Sequence, residues 1–140
     1  MTGYIRLRKY AVEKLDKALS DDLVYHGIHH TLDVLKYVNF LIEKENVGTE
    51  DAKLLRIASL YHDIGFINTY SNHEEEGVRI LKEAMLEFGC DMANFEKIAS
   101  MIMATKNPQS PKNKLEKIIC DADLFYLGKD KYYEIKPDAI

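Results

Sequence analysis

Apolar residues in this chain of 140 residues recur mainly at intervals of three and four along nearly its whole length. That period belongs to the helix and leaves little room for strands. A first helix is predicted from about Tyr4 to Leu19, with Leu7, Ala11, Leu15, Ala18 and Leu19 on its buried stripe. A second runs from about Ile28 to Glu45 and buries Leu35, Val38, Leu41 and Ile42. Gly48 and Thr49 break the chain, and Thr49 is placed as the N-cap of a third helix carrying Leu54, Leu55, Ala58 and Tyr61, which ends near Asp63-Ile64-Gly65. Ser71 and Glu74 form a capping-box pattern opening a fourth helix, with Val78, Leu81 and Met85 inside and Gly89 as its stop. A fifth runs from about Asn94 to Thr105, and Pro108 to Asn113 is a loop. Asn113 with Glu116 resembles another cap, and Gly128 ends the sixth helix. The expected fold is all-α, a single domain over residues 1–140 of about six helices.

Composition narrows the function. Lys and Arg number 19 against 23 Asp and Glu, a net charge of −4, so no basic field is available to hold nucleic acid. No apolar run approaches the ~20 residues that span a bilayer, and the basic N-terminal residues are followed by no apolar signal region. Cys90 and Cys120 lack metal-ligand spacing. A reduced, cytoplasmic protein is expected, without nucleic-acid or membrane partners. An apolar helix face fits a core or a homodimer equally.

All five histidines lie between His26 and His73. Histidine is both the common neutral metal ligand and the acid–base group suited to neutral pH. His26 and His30, four apart, share one face if the second helix begins early enough to include both, whereas His29 points about 100° away from His30 and reads as packing or surface. His62-Asp63 ends an apolar helix, where a frayed turn before Gly65 lets both side chains face one point. Asp121-Ala122-Asp123 is embedded among Leu115, Ile118, Ile119, Leu124, Phe125 and Leu127, where buried carboxylates are costly unless paired or metal-bound. The ordered set His30, His62, Asp63 and Asp123 makes a mixed nitrogen–oxygen shell. It suits an open site for Mn²⁺, Fe²⁺, Co²⁺ or Ni²⁺, with Mg²⁺ or Zn²⁺ as further options, and not a closed structural zinc.

Other residues have plainer readings. Met101, Met103 and Phe95 are core filler, and Cys120 is a buried inert thiol. Glu74-Glu75-Glu76 is a solvated first helical turn, and Lys112, Lys114 and Lys117 are solvated charges. A di-iron carboxylate protein needs Glu-x-x-His motifs, and no histidine here has a glutamate three positions before it.

The segments Tyr25-His26-Gly27-Ile28-His29-His30-Thr31-Leu32-Asp33-Val34, Tyr61-His62-Asp63-Ile64-Gly65 and Asp121-Ala122-Asp123-Leu124 together resemble the HD-domain phosphohydrolase superfamily, over about residues 25–127. The resemblance implies a bundle of five or more helices around a metal. It also assigns the ligand to Asp123, leaving Asp121 to support the ligands from outside or to position the helix. The first segment is also similar to the Tyr-His-Asn-x-x-His-Ala segment of cyclic-nucleotide phosphodiesterases, with Gly27 in place of Asn. That likeness implies His26 as the general acid for the leaving oxygen. His73-Glu74-Glu75-Glu76-Gly77 is similar to a segment of two-metal members whose histidine helps bind a second ion. Those members carry a further histidine near the end of the next helix, and here the chain reads Ala104-Thr105-Lys106-Asn107. One divalent metal is therefore expected and a second disfavoured, with His73 left to meet a substrate phosphate or a second ion. Lys106 is a further candidate for a phosphate contact, against the plainer reading of a solvated lysine. The function implied is a metal-dependent phosphohydrolase acting on a nucleotide or other small phosphate ester. The alternative is a regulatory module that binds metal or ligand with little turnover.

Overall fold

A computed structural model describes the backbone over residues 2–20, 28–69 and 71–135, with side chains described over 3–17, 30–69 and 71–125. Among the described residues six helices follow one another: α1 (Thr2–Ser20), α2 (Ile28–Lys44), α3 (Thr49–Tyr61), α4 (His73–Glu87), α5 (Phe95–Ala104) and α6 (Lys114–Ile135). Short 3₁₀ turns at Ile64–Ile67 and Met92–Asn94 lead into α4 and α5. The fold is all-α, as the periodicity predicts.

The helix that organises the rest is α3. Ala52, Leu55, Ile57, Ala58, Ser59, Leu60 and Tyr61 are all buried, so its C-terminal half is enclosed on every side. Helices α1, α2, α5 and α6 pack around it. A helix buried all round must satisfy its polar side chains internally. Ser59 Oγ donates to the Leu55 carbonyl at 2.9 Å, and Tyr61 Oη donates to the Leu7 carbonyl on α1 at 2.8 Å. The central helix thus delivers its last residues, and the His62-Asp63 pair that follows, into the interior.

The predicted stripes are buried at Leu7, Ala11 and Leu15 on α1, at Val38 and Ile42 on α2, and at Leu81 and Met85 on α4, whereas Leu35, Leu41, Leu54 and Val78 are only partly buried and Val34 takes a core place on α2 in their stead. Met101 is core, and Met103 and Phe95 are partly buried beside it. Several helix ends differ from the sequence expectations. Helix α2 ends at Lys44, within one residue of the expected end, and just beyond it Asn46 takes a left-handed φ of 54° while Val47 N–H returns to the Ile42 carbonyl at 3.0 Å. The N-cap of α3 is Gly48, with no side-chain cap, and Thr49 lies inside the helix. The Ser71–Glu74 capping box does not form: α4 starts at His73, behind Asn72 at φ 56°. The stop at Gly89 is realised, with Cys90 N–H reaching the Met85 carbonyl at 2.9 Å. Helix α6 continues through Gly128 to Ile135, because one glycine costs only about 1 kcal/mol in a helix interior.

The cap of α6 does form, and it is reciprocal. Glu116 N–H donates to Asn113 Oδ1 at 2.9 Å, while the Glu116 carboxylate accepts from Asn113 Nδ2 at 3.0 Å and from Lys112 N–H at 2.9 Å. This fixes the register in which α6 enters the core, and Asp123 lies two turns further on.

Candidate metal centre

Three helix ends and helix faces meet at one buried point. His30 comes from the first turn of α2, His62 and Asp63 from the end of α3, and Asp123 from the middle of α6. All four are buried, and one donor atom from each lies within 4.8 Å of all the others. His62 Nε2 is 3.2 Å from Asp123 Oδ1 and 3.5 Å from Asp63 Oδ2. His30 Nε2 is 3.3 Å from the same Asp123 oxygen and 3.4 Å from the same Asp63 oxygen.

The pair His62-Asp63 converges because the helix stops between them. His62 keeps helical φ and ψ, but Asp63 turns to φ −111°, ψ 1°, and the chain tightens into the 3₁₀ turn. The amide N–H of Phe66 returns to the Asp63 carbonyl at 3.1 Å. His62 Nδ1–H donates to the Ser59 carbonyl at 2.7 Å, which fixes the ring and directs Nε2 at the cluster.

Burial alone would drive the proton off His62. The neighbouring Asp63 charge and the Asp123 hydrogen bond outweigh it and push its pKa up to about 10. Burial would also raise both carboxyls. His62 and the His73 hydrogen bond instead hold Asp63 below the usual carboxylate range, and hydrogen bonds from His30 and His62 do the same for Asp123. Two imidazoles are therefore gathered on two ionised carboxylates that have given up their water. Such a set fits a divalent cation. Neighbouring donors on an ion held at about 2.1 Å from each lie about 3.0–3.4 Å apart, close to the separations here. The mixed imidazole–carboxylate chemistry suits Mn, Fe, Co, Ni or Zn better than it suits a thiolate-preferring ion.

Around this core lies a second set of contacts. His73 Nε2 is 3.2 Å from Asp63 Oδ1, the carboxylate oxygen that faces away from His30 and His62, and 3.2 Å from Glu74 Oε2. The His73 ring stacks on Phe66 with centroids 3.7 Å apart. Glu74 is buried, which corrects the expectation of a wholly solvated acidic turn; its neighbours Glu75 and Glu76 are occupied by Lys106 and by Arg79 with Asn68. On the other side, Gln109 Nε2 donates to Asp123 Oδ2 at 3.1 Å. Asp63, Asp123, His73 and Glu74 line a cleft of about 130 Å³ with Phe66, Thr105 and Asn107.

The remaining sequence candidates fall elsewhere. His26 lies outside the described residues, as does the side chain of His29. Lys106 pairs with Glu75 and reaches Asn72 Oδ1 at 3.2 Å, tying the end of α5 to the start of α4 at the surface. Asp121 is exposed in a groove between α2 and α6 beside Tyr37, Lys117 and Phe125, not beside the metal cluster. Two helical positions separate it from Asp123 by about 200° around the axis, which corrects its expected place next to the ligands. Cys120 donates to the Ala104 carbonyl at 3.2 Å, and burial pushes its thiol up to about 12, so it is inert. Gln109 and the burial of Glu74 were missed. A glutamine between two prolines in a loop carries no charge or periodicity to mark it, and a glutamate in a first helical turn reads as solvated.

The model of the HD-domain family matches residues 27–126, well over half of the chain, and the chain belongs to that family. No curated protein and no solved structure gives a significant match. The family is one of metal-dependent phosphohydrolases for the most part, and its divalent metals are bound through a His/Asp set of the kind built here by His30, His62, Asp63 and Asp123. Among the described residues, no helix is long and apolar enough to cross a membrane.

Proposed function

We propose that the protein is a metal-dependent phosphohydrolase acting on a nucleotide or another small phosphate ester. The observation that supports this best is the convergence of two imidazoles and two carboxylates, all buried, at the wall of a small cleft. His30, His62, Asp63 and Asp123 are the residues that would hold the ion. When bound, a divalent cation supplies a Lewis acid that acidifies water and offsets charge on phosphoryl oxygens.

The chain's own groups have separable tasks in this reading. Ser59 fixes the ring of His62, and His73 holds Asp63 from outside while forming part of the cleft wall. Thr105 and Asn107 offer hydrogen-bonding groups along the same wall. His26 is proposed as the general acid that protonates the leaving oxygen. A cleft of about 130 Å³ favours a single phosphoryl group over a polymer.

One observation favours a second reading. Among the described residues lining the cleft there is neither Lys nor Arg, so phosphate has no fixed cation to meet there. That suits a regulatory module that binds metal and ligand with little turnover. Hydrolysis of a generic aryl phosphate and of a nucleotide panel, with Mn²⁺ or Mg²⁺ added, separates the two. Metal-dependent turnover that is lost in Asp63→Ala supports the enzyme. Bound metal with no turnover on any ester supports the module.

A further inference from the structure

We infer that Gln109 is a positioning residue of the metal centre, which fixes Asp123 so that one carboxylate oxygen alone faces the two histidines. The inference rests on the proposed metal centre and concerns a residue of the loop between α5 and α6. Asp123 Oδ1 is the oxygen shared by His30 and His62, at 3.3 and 3.2 Å. Its other oxygen, Oδ2, accepts from Gln109 Nε2 at 3.1 Å.

The direction of the glutamine follows from chemistry. Only the NH₂ end of an amide can donate to an ionised carboxylate, so Oε1 must point elsewhere. Gln109 Oε1 is buried and has no hydrogen-bond partner among the described residues. A glutamine present only to tie the loop down would pair both ends of its amide. This one pairs strongly at the carboxylate, with a second, longer contact from Nε2 to the Thr105 carbonyl at 3.5 Å. The loop itself is anchored independently, by Ser110 N–H on the Ala104 carbonyl at 3.1 Å and by Thr105 Oγ1 on the Ile102 carbonyl at 2.7 Å.

The two carboxylates of the centre are thus held from outside by different chemistry. Asp63 leans on an imidazole, His73, and Asp123 on a neutral amide. A neutral donor restrains the orientation of Asp123 without cancelling its charge, which is what a ligand to a cation requires.

The test compares wild-type protein with Gln109→Met, which keeps the volume but removes the donor, and with Gln109→Ala. Co²⁺ is the probe, with affinity read by competition against a chromophoric chelator and coordination read from the visible spectrum. Circular dichroism and the melting temperature of each metal-free protein serve as controls on folding. The expected result is a loss of Co²⁺ affinity of roughly 10–100-fold in both variants. Their visible absorption should weaken as well, because a freed carboxylate can turn both oxygens to the ion and raise its coordination number. Asp121→Ala, on the far side of α6, should change neither quantity. Wild-type affinity and spectrum in Gln109→Met would overturn the inference while leaving the metal centre intact. A wild-type protein that takes up no Co²⁺ would overturn both.

Discussion

Gly65 lies so close to the carbonyl of His73 that a Cβ on it would sit 1.9 Å from that oxygen. The 3₁₀ turn after Asp63 and the first turn of α4 meet backbone to backbone here, and Gly77 meets the Tyr61 carbonyl in the same way, with a Cβ at 2.8 Å. This close approach is what brings His73 Nε2 onto Asp63. Gly65→Ala must push α4 outward and lift His73 from Asp63. The expected loss of stability is at least about 1–3 kcal/mol, the usual cost of overfilling a packed interior. Denaturant melts give that loss, and a shifted His73 ring resonance reports the displacement. A variant as stable as the wild type with an unmoved His73 would contradict this packing.

The metal-free and metal-loaded proteins should answer pH in opposite ways. His62 has its pKa raised from 6.5 to about 10 in the folded chain. Its stabilising charge is fully present below about pH 6.5 and is lost as pH rises through the folded value. Asp63 and Asp123 have lowered pKa values, so their contribution is present above about 3.8 and is lost as pH falls. Chelated protein should be most stable between these limits and melt progressively lower toward pH 10. A cation displaces the His62 proton, so loading should stabilise more as pH rises. Melting curves with and without Mn²⁺ from pH 5 to 10 check this, and parallel curves would count against it.

Phosphate should bind only after the cation. Asp63, Asp123 and Glu74 line the cleft, and no Lys or Arg does so among the described residues. Lys106 is engaged by Glu75. Calorimetric titration of inorganic phosphate should show no heat of binding to chelated protein and measurable binding once Mn²⁺ is present. Lys106→Ala should change the phosphate affinity of the loaded protein less than about threefold, in keeping with an exposed ion pair. Tight phosphate binding to the chelated protein would contradict the electrostatics of the cleft.

The reciprocal cap at the start of α6 gives a prediction about stability at a distance from the site. Asn113→Ala removes the acceptor for Glu116 N–H and one donor to the buried Glu116 carboxylate. A loss of about 1–2 kcal/mol is expected, with a correspondingly lower melting temperature and little change in metal affinity at Asp123. A variant that melts with the wild type would show that the loop, not the cap, fixes α6.

How much of the fold and the site is legible in the sequence depends on the kind of signal. Helical periodicity is repeated many times, so the pattern alone places Leu7, Val38, Leu55 and Leu81 in the core, where they are found. The four donors are legible because a histidine or aspartate within an apolar run needs a reason, and cation binding is one. Helix ends are less legible. Asn46 and Asn72 take left-handed φ values that asparagine adopts readily, yet nothing distinguishes them from Gly48 or Ser71 as punctuation. Asp121 and Asp123 look alike in sequence, and only the rotation of α6 sends one to the groove and the other to the core. Gln109 carries no such signal, because its role depends on a loop returning to a helix that follows it in the chain.

We propose that His30, His62, Asp63 and Asp123 together hold one divalent cation. The most direct measurement is metal content after equilibrium dialysis against Mn²⁺, for the wild type, Asp63→Ala and Asp123→Ala at matched protein concentration. About one Mn²⁺ per chain is expected in the wild type, with most of it lost in each variant. A wild type without bound metal, or variants that retain the full complement, would contradict it.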